Sequence, residues 1–498
     1  MQRKFDRDID VIGLTGFSAP QPAFGARLVR RWQFLDARVF SSGPVSSERR
    51  AFEEVTQAFP EGDVPVERVP AECLADALGL RRPDLLIWLV PGEPPLLLRN
   101  RKGTRVWWLS SNTVAFPGFW ELIERVPIVA AEILEAEPGA MAPRVVGRVF
   151  AKTDHWSLSR TVCRLRALEE SLLLARVGEF RRSGCIESTP APADDRRPST
   201  SAVPSVFQLC QGLAALYGRY LLSLVTRRFH RKQWQLIVGA GDVAHEELPN
   251  LPRLAPRKGD FWADPFPISR NGKSVLYLEH WDDAAAKGHI AVAELGPGGT
   301  LDTPVKVVDR DYHLSYPFLF EHQGELYMVP ESADANRIEA YRCVSFPYDW
   351  EPHAVLMDNV RAFDATLFEY AGRWWMYAAI QHNGNTVCDE LHLFSAPGPF
   401  DEWRPHRANP VSLDIRCARP GGSVFVRDGM IFRPAQDCSE EYGYGLAMQR
   451  VLHLEEERYE EETAWRIVPD WAPELCGLHT FNRGGGVTAW DVLVRRRR

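Results

Sequence analysis

Phe261-Trp262-Ala263-Asp264-Pro265-Phe266-Pro267-Ile268 is a short apolar strand with one carboxylate at its mouth. Its shape recurs four more times: Tyr316-Pro317-Phe318-Leu319-Phe320, Asp364-Ala365-Thr366-Leu367-Phe368, Arg419-Pro420-Gly421-Gly422-Ser423-Val424-Phe425 and His479-Thr480-Phe481. Every copy starts on a polar or Pro-marked residue and then runs apolar. In four of the five a Gly-centred turn follows, at Gly272, Gly324, Gly372 and Gly429, and then a second, aromatic-rich strand. The landmarks Ile268, Phe320, Phe368, Phe425 and Phe481 stand 52, 48, 57 and 56 residues apart. A period of about 50 residues with strands in each unit is the mark of a β-propeller. Five units predict five blades over 233–494. Ahead of them, Trp234-Gln235-Leu236-Ile237-Val238 is a spare strand placed to join the last blade, which removes an exposed edge.

Working outward, 498 residues are too many for one ordinary core, so two or three domains are expected. A hydrophobic content of 45% and a charged content of 25% are those of a folded chain. The formal charge of −7 gives no nucleic-acid surface, and Arg495 to Arg498 read as a solvated tail. Nine scattered cysteines include no CxxC pair, which excludes a zinc ribbon and points to reduced thiols. Met1 to Ile9 is charged and lacks an apolar core, so a cytoplasmic location is expected.

Residues 8–180 read as an α/β domain of Rossmann type. Asp10 to Phe17, Pro83 to Val90 and Arg105 to Leu109 are strand-like apolar runs, and Phe24 to Phe34 is helical by pattern. Gly13 and Gly16 lack the GxGxxG spacing and read as turn glycines, so no cofactor is expected. From Trp107 to Leu168 the order is strand, helix at Pro117 to Leu122, strand at Pro127 to Leu134, turn at Glu137-Pro138-Gly139, strand at Val145 to Phe150, then a helix from about Ser157. This order resembles the later half of the formyltransferase fold, whose members use an Asn, a His and an Asp around the transferred carbon. Asn112 matches the Asn, Glu137 stands where the Asp turn falls, and no histidine follows Asn112 in the adjoining loop. Without that proton shuttle the resemblance implies a degenerate relative that does not formylate.

Residues 181–205 are polar and Pro-rich, which reads as a linker. A helix over 206–232 follows, with Leu209, Leu213, Leu216, Tyr220 and Leu224 spaced three and four apart. Arg219 near its middle argues against a membrane span and for a docking helix, while its basic exit (Arg227, Arg228, His230, Arg231, Lys232) leaves peripheral membrane contact open.

In a propeller the first strand of each blade lines the central channel. Asp264, Tyr316, Asp364, Arg419 and His479 therefore converge although they are far apart in sequence. Polar clusters after the second strands add Glu331, Glu390 and Asp437, and Trp262 adds an aromatic face. Carboxylates that accept hydroxyl hydrogen bonds or act as acid and base, beside aromatic rings, make a sugar site. The bland alternatives are turn capping by Asp264, a solvated loop acid at Glu331, charge neutralisation by Arg419, a core histidine at His479, and backbone bonds from Glu390 and Asp437. His280, His289 and His392 have no ligand spacing, so no metal site is expected.

The runs WADPF, SYPFLFEHQGELYMVPES, AFDATLFEYAGRWWMYAA, DELHLFSA, RPAQDCSEEYGYG and GLHTFN are similar to the N-terminal domain family of glucosamine inositolphosphorylceramide transferases. That resemblance implies a five-bladed propeller like those of furanosidase and fructosidase glycoside hydrolases. It implies a glycan, nucleotide-sugar or glycolipid substrate, in plants joined to a separate glycosyltransferase domain. The hydrolases place Asp, Asp and Glu on blades one to three; here the blade entrances carry Asp264, Tyr316 and Asp364. The expected assignment is Asp264 as base or nucleophile, Glu331 as acid and Asp364 as the residue that orients the sugar or tunes a pKa. The other readings are a glycan-binding partner of a separate glycosyltransferase, and formyl or acyl transfer by the N-terminal domain.

Overall fold

The computed structural model describes residues 11–16, 38–42, 66–68, 84–88, most of 93–189, Pro198, and 204–497 apart from 297–298 and 383–384. The helix expected over Phe24 to Phe34, the Asn112 and Glu137 positions, and the Pro-rich run from Pro190 to Arg197 lie outside the described residues. The chain forms two compact units, 1–208 and 209–498. No described helix is long and apolar enough to cross a membrane.

The first unit contains a seven-stranded sheet in the order Val66–Arg68, Arg38–Ser42, Val11–Gly16, Leu85–Trp88, Arg105–Ser111, Ile128–Glu135, Arg144–Lys152. The first five strands run parallel and the last two antiparallel. Leu85, Leu86 and Ile87 are fully buried, which is why that strand reads as an unbroken apolar run. Ser157 caps the helix Leu158–Ser183 by accepting a hydrogen bond from Arg160 N (3.2 Å), and Gly184 ends it in the left-handed region. The helix lies close on the sheet: a Cβ on Gly147 would sit 3.0 Å from Leu172 Cδ1.

The second unit is mostly β: five antiparallel sheets, numbered I to V here. Sheet I comprises Phe261–Arg270, Lys273–Asp282, Lys287–Glu294 and Val305–Val308. Sheet II comprises Ser315–His322, Glu325–Glu331, Arg337–Ser345 and Asp349–Asp358. Sheet III has Ala362–Tyr370, Arg373–Ile380, Leu391–Ala396 and Arg404–Pro405. In sheet IV, Arg419–Pro420 and Phe425–Arg427 both pair with Met430–Asp437, followed by Gly445–Leu454 and Tyr459–Ile467. Sheet V joins Leu475–Gly477 and Phe481–Gly484 to Val487–Arg497, and then takes in His230–Ala240 and Arg253–Leu254 from ahead of sheet I. The spare strand thus pairs with the last one along its full length, from Ala240 opposite Val487 to His230 opposite Arg497.

First strands touch in the order I, II, III, IV, and sheet V returns to sheet I. Phe481 N to Gly421 O (2.8 Å) links IV to V, so the ring closes in a propeller-like arrangement. Four of the sheets begin with a two-residue hairpin in which both residues have positive φ: Asn271-Gly272, Gln323-Gly324, Ala371-Gly372 and Asp428-Gly429. That is the turn whose twist suits a hairpin, and glycine supplies its second position. Aromatic residues of the second strands fill the wedges between sheets: Tyr277 meets Trp350 edge-on at 5.5 Å, and Phe320 meets Trp374 at 5.4 Å.

Candidate functional site

Sheets I, II and III carry a bulge at the same place in their first strands, between Ala263 and Phe266, Ser315 and Phe318, and Phe363 and Thr366. The residues in the bulges, Asp264, Tyr316 and Asp364, have φ of 50°, 44° and 54°. A non-glycine residue in that region costs about 1–3 kcal/mol and persists only where its surroundings hold it. The bulge re-aims each side chain towards the axis. Hydrogen bonds between sheets then fix it. Asp264 N donates to Asp491 Oδ2 (2.9 Å), and Tyr316 N donates to Asp264 Oδ2 (3.1 Å). In sheet IV the corresponding stretch is Gly421-Gly422; a Cβ on Gly422 would stand 1.9 Å from Phe481 O, so only glycine admits this approach of sheet V.

Behind the bulges lies a second ring. The residue paired with the one before each bulge is Glu279 in sheet I, Glu331 in sheet II and Ala379 in sheet III; in sheet IV Arg419 pairs with Gln436. Asp491 holds this place in sheet V, where its N–H donates to Thr480 O.

The two rings interlock. Asp264 Oδ1 accepts from the Thr480 hydroxyl at 2.6 Å, and His479 Nδ1 lies 2.7 Å from Asp491 Oδ2 and 3.9 Å from Asp264 Oδ1. Asp491 Oδ1 accepts the backbone N–H groups of His479 and Thr480, each at 3.0 Å. Trp234 stacks on the His479 ring at 3.9 Å. Asp364 is clasped by Arg419, with Nε at 2.6 Å and Nη2 at 3.3 Å, and accepts from Gln436 Nε2 at 2.8 Å. Tyr316 pairs its hydroxyl with Thr366 Oγ1 (2.8 Å) and accepts from Gly422 N (2.9 Å). Glu331 accepts from Ser315 Oγ (2.9 Å) and Ala333 N (2.7 Å). Over this buried floor stands Tyr442, 44% exposed, its ring 4.9 Å from the Arg419 guanidinium and edge-on to His479 at 5.5 Å.

Burial and crowding of like charges set the protonation of the floor. Burial, reinforced by Asp491 and Asp364 and opposed by His479, pushes Asp264 up to about 6. Burial and the nearby Asp364 raise Glu331 to about 7, against the pull of Arg419. Glu279 is driven well above the carboxylate range by burial and then by Asp264, Glu331, Asp491 and Asp364 together. For His479, burial opposes the charge, but Asp491 and Asp264 outweigh it and hold the imidazole above its usual value. Two carboxyl groups raised to about 6 and about 7, next to the Arg419–Asp364 ion pair, can accept and donate protons at and just below neutral pH.

The structure brings Asp264, Tyr316, Glu331, Asp364, Arg419 and His479 into one connected group. Three other candidates sit elsewhere. Trp262 follows the strand alternation to the opposite face from Ala263, half-buried against the apolar cluster of Leu236, Val238 and Leu278. Glu390 lies under His382 and His392 at the start of the third strand of sheet III. Asp437 accepts from Ser439 N (3.0 Å) and neighbours Asp414 and Arg466. Glu279, Gln436, Thr480, Asp491 and Tyr442 belong to the site without having been singled out in the sequence. A signal for part of the second ring was present: Glu279, Glu331 and Ala379 each stand fifteen residues after the bulge residue of their own repeat.

Residues 253–469 match the family described as glucosamine inositolphosphorylceramide transferase 1, N-terminal. A protein of that name from Oryza sativa subsp. japonica is 33% identical over 221 residues, covering 43% of this chain and 30% of its own length. Its counterpart from Arabidopsis thaliana is 31% identical over 207 residues, covering 41% of this chain and 27% of its own. The chain therefore spans less than a third of the relatives it matches. Among solved structures, the family 117 glycoside hydrolase Zg3597 from Zobellia galactanivorans aligns over 53% of this chain and 90% of its own, at 14% identity and a TM-score of 0.35.

Proposed function

We propose that the propeller-like unit binds and transforms the sugar part of a glycolipid at the ring axis, with an amino sugar as the preferred ligand. The observation that carries this is the charge balance of the floor. Among the described residues, the five acids Asp264, Glu279, Glu331, Asp364 and Asp491 face three basic groups, Arg419, His479 and, 3.5 Å from Glu279, His313, and Arg419 is committed to Asp364. An ammonium group entering such a site is attracted, and it draws protons off carboxyls that burial had kept neutral. The exposed Tyr442 ring gives the sugar a face to lie on. The names of the rice and Arabidopsis relatives, which contain both glucosamine and inositolphosphorylceramide, support a glycolipid of that class.

In the reacting complex Glu331, which at about 7 keeps its proton up to neutral pH, serves as acid. Asp264, at about 6 and ionised above that, serves as base or nucleophile. Asp364 stays fixed by Arg419 and Gln436 and raises its neighbours' values. The Arg419–Asp364 clasp favours a second reading, a non-catalytic glycan-binding module beside a separate glycosyltransferase. A glycan and nucleotide-sugar screen separates them, run on wild type, Asp264→Asn and Glu331→Gln. Turnover by wild type that is lost in both variants supports the first reading; wild type that binds without turnover supports the second. Variants that bind and turn over like wild type overturn the site.

A lipid-surface setting is supported by the helix Val206–Phe229. Val206, Leu213, Tyr217, Tyr220 and Leu221 form one exposed stripe at helical spacing, each more than half exposed. The helix runs into a basic end, where exposed Arg231 and Lys232 pair in register with exposed Arg496 and Arg495. Such a helix suits an anionic bilayer surface. Exposed free thiols at Cys163, Cys185 and Cys210 suit the cytoplasmic, reducing side. The N-terminal unit is proposed as a formyltransferase-like shell without formyl transfer, on the strength of its missing loop histidine.

A further inference from the structure

We propose that His382, Glu390 and His392 form a binding site for a divalent transition-metal ion, with zinc the best match to its donors. His382 follows the second strand of sheet III and is tied to Asn385: His382 N donates to Asn385 Oδ1 (2.7 Å), and Asn385 Nδ2 donates to Ile380 O (2.9 Å). Glu390 immediately precedes the next strand, Leu391–Ala396, and His392 is its second residue, so the two lie two residues apart on the side opposite the buried Leu391. All three donors thus come from within or beside neighbouring strands of sheet III.

The donors converge. His382 Nε2 lies 2.8 Å and His392 Nε2 3.4 Å from the same oxygen, Glu390 Oε2, and the three donor atoms lie within 4.8 Å of one another. Zinc bonds of about 2.0–2.2 Å in a tetrahedron put neighbouring ligand atoms about 3.3 Å apart. The site needs little movement to close on an ion. Glu390 has a side chain only 1% exposed, while those of His382 and His392 are 28% and 17% exposed. The carboxylate is the floor, and the imidazoles stand between it and solvent, which leaves a path for the ion and open coordination positions. Two imidazole nitrogens and one carboxylate oxygen suit zinc and its first-row neighbours, whereas calcium and magnesium take oxygen ligands.

Among the described residues, a second trio of donors, Asp264, His479 and Asp491, is as tightly grouped. It is a poor ion site because its oxygens are already engaged. Asp491 accepts three backbone N–H groups, Asp264 accepts from Thr480 and Tyr316, and all three residues are buried.

The test uses untagged full-length protein, stripped with a chelator, reloaded with zinc sulfate and desalted. Elemental analysis is expected to find one zinc per chain. Cobalt(II) in place of zinc is expected to give visible d–d absorption, and zinc to raise the melting temperature. His382→Ala, His392→Ala and Glu390→Gln are each expected to weaken zinc binding at least tenfold and to abolish the thermal shift. Their melting temperatures without zinc report whether they fold. Asp264→Asn is expected to keep the full zinc content. No zinc retained by wild type, equal retention by all three site variants, or loss of zinc in Asp264→Asn would each overturn the proposal.

Discussion

At the scale of single residues the site depends on carboxyl groups whose folded-state values are raised. For Asp264 and Glu331 the protonated form is the one the fold favours. Their contribution to stability is therefore complete below the ordinary carboxylate range, near pH 4, and is lost as pH rises through about 6 and about 7. His479, also raised, adds a loss of the same sign at higher pH. The melting temperature is expected to fall from pH 5 to pH 8, and Glu331→Gln is expected to flatten that fall by removing about 3 kcal/mol of pH-dependent stability. A melting curve for Glu331→Gln as steep in pH as that of wild type would refute this account. With Glu331 as acid and Asp264 as base, as proposed, activity is expected to follow a bell-shaped pH profile centred between about 6 and 7, which a pH–rate series on wild type checks. Arg419 sets a different case. Arg419→Met leaves the Asp364 carboxylate buried beside other acids and is expected to cost about 3–5 kcal/mol in urea unfolding, with Asp364→Asn restoring part of the loss in the double variant. Tyr442→Ala leaves that clasp intact; its prediction is a roughly tenfold weaker sugar Kd with little change in melting temperature.

At the scale of elements, the repeats were legible because a propeller blade writes the same hairpin into each unit. Asn271-Gly272, Gln323-Gly324, Ala371-Gly372 and Asp428-Gly429 mark the turns, and the apolar runs before them mark the first strands. The bulge was not legible. Nothing in Trp262-Ala263-Asp264 states that φ at Asp264 is positive, and that single feature decides that Asp264 faces the axis while Trp262 faces the neighbouring sheet. Glu390 and Asp437 were misplaced for a related reason: polar residues after a second strand look alike in sequence, whereas register admits only the one opposite the bulge. Sheet IV shows the cost of altering that geometry. Gly422→Ala would drive a methyl group into the Phe481 carbonyl at 1.9 Å, so soluble yield or melting temperature is expected to drop sharply, while Gly429→Ala, with open space around it, pays only backbone strain. For the helix Val206–Phe229, Leu213→Glu combined with Tyr217→Glu is expected to abolish co-sedimentation with phosphatidylserine vesicles. Unchanged sedimentation would remove the lipid-surface reading and leave the axis site standing.

At the scale of the whole molecule, two compact units with separate cores should answer to different ligands. The ring of five sheets is sealed by His230–Ala240 on Val487–Arg497, so no blade opens without breaking that ladder, and ligand binding at the axis should stabilise all five sheets together. The seven-stranded sheet of residues 1–208 has buried residues of its own at Trp107, Leu165 and Phe180 and, among the described residues, shares no strand with the ring. Calorimetry of the full chain is therefore expected to resolve two transitions, and an amino sugar that binds the floor to raise only one of them. A formyl-folate analogue is expected to raise neither. The loop after Asn112 carries no histidine, and an amine attacking a formyl carbon must lose a proton to some group within hydrogen-bond reach. A folate-induced rise in the transition that the sugar leaves unmoved would show that the N-terminal unit still holds the cofactor. Proton transfer would then have to come from a residue other than the missing histidine.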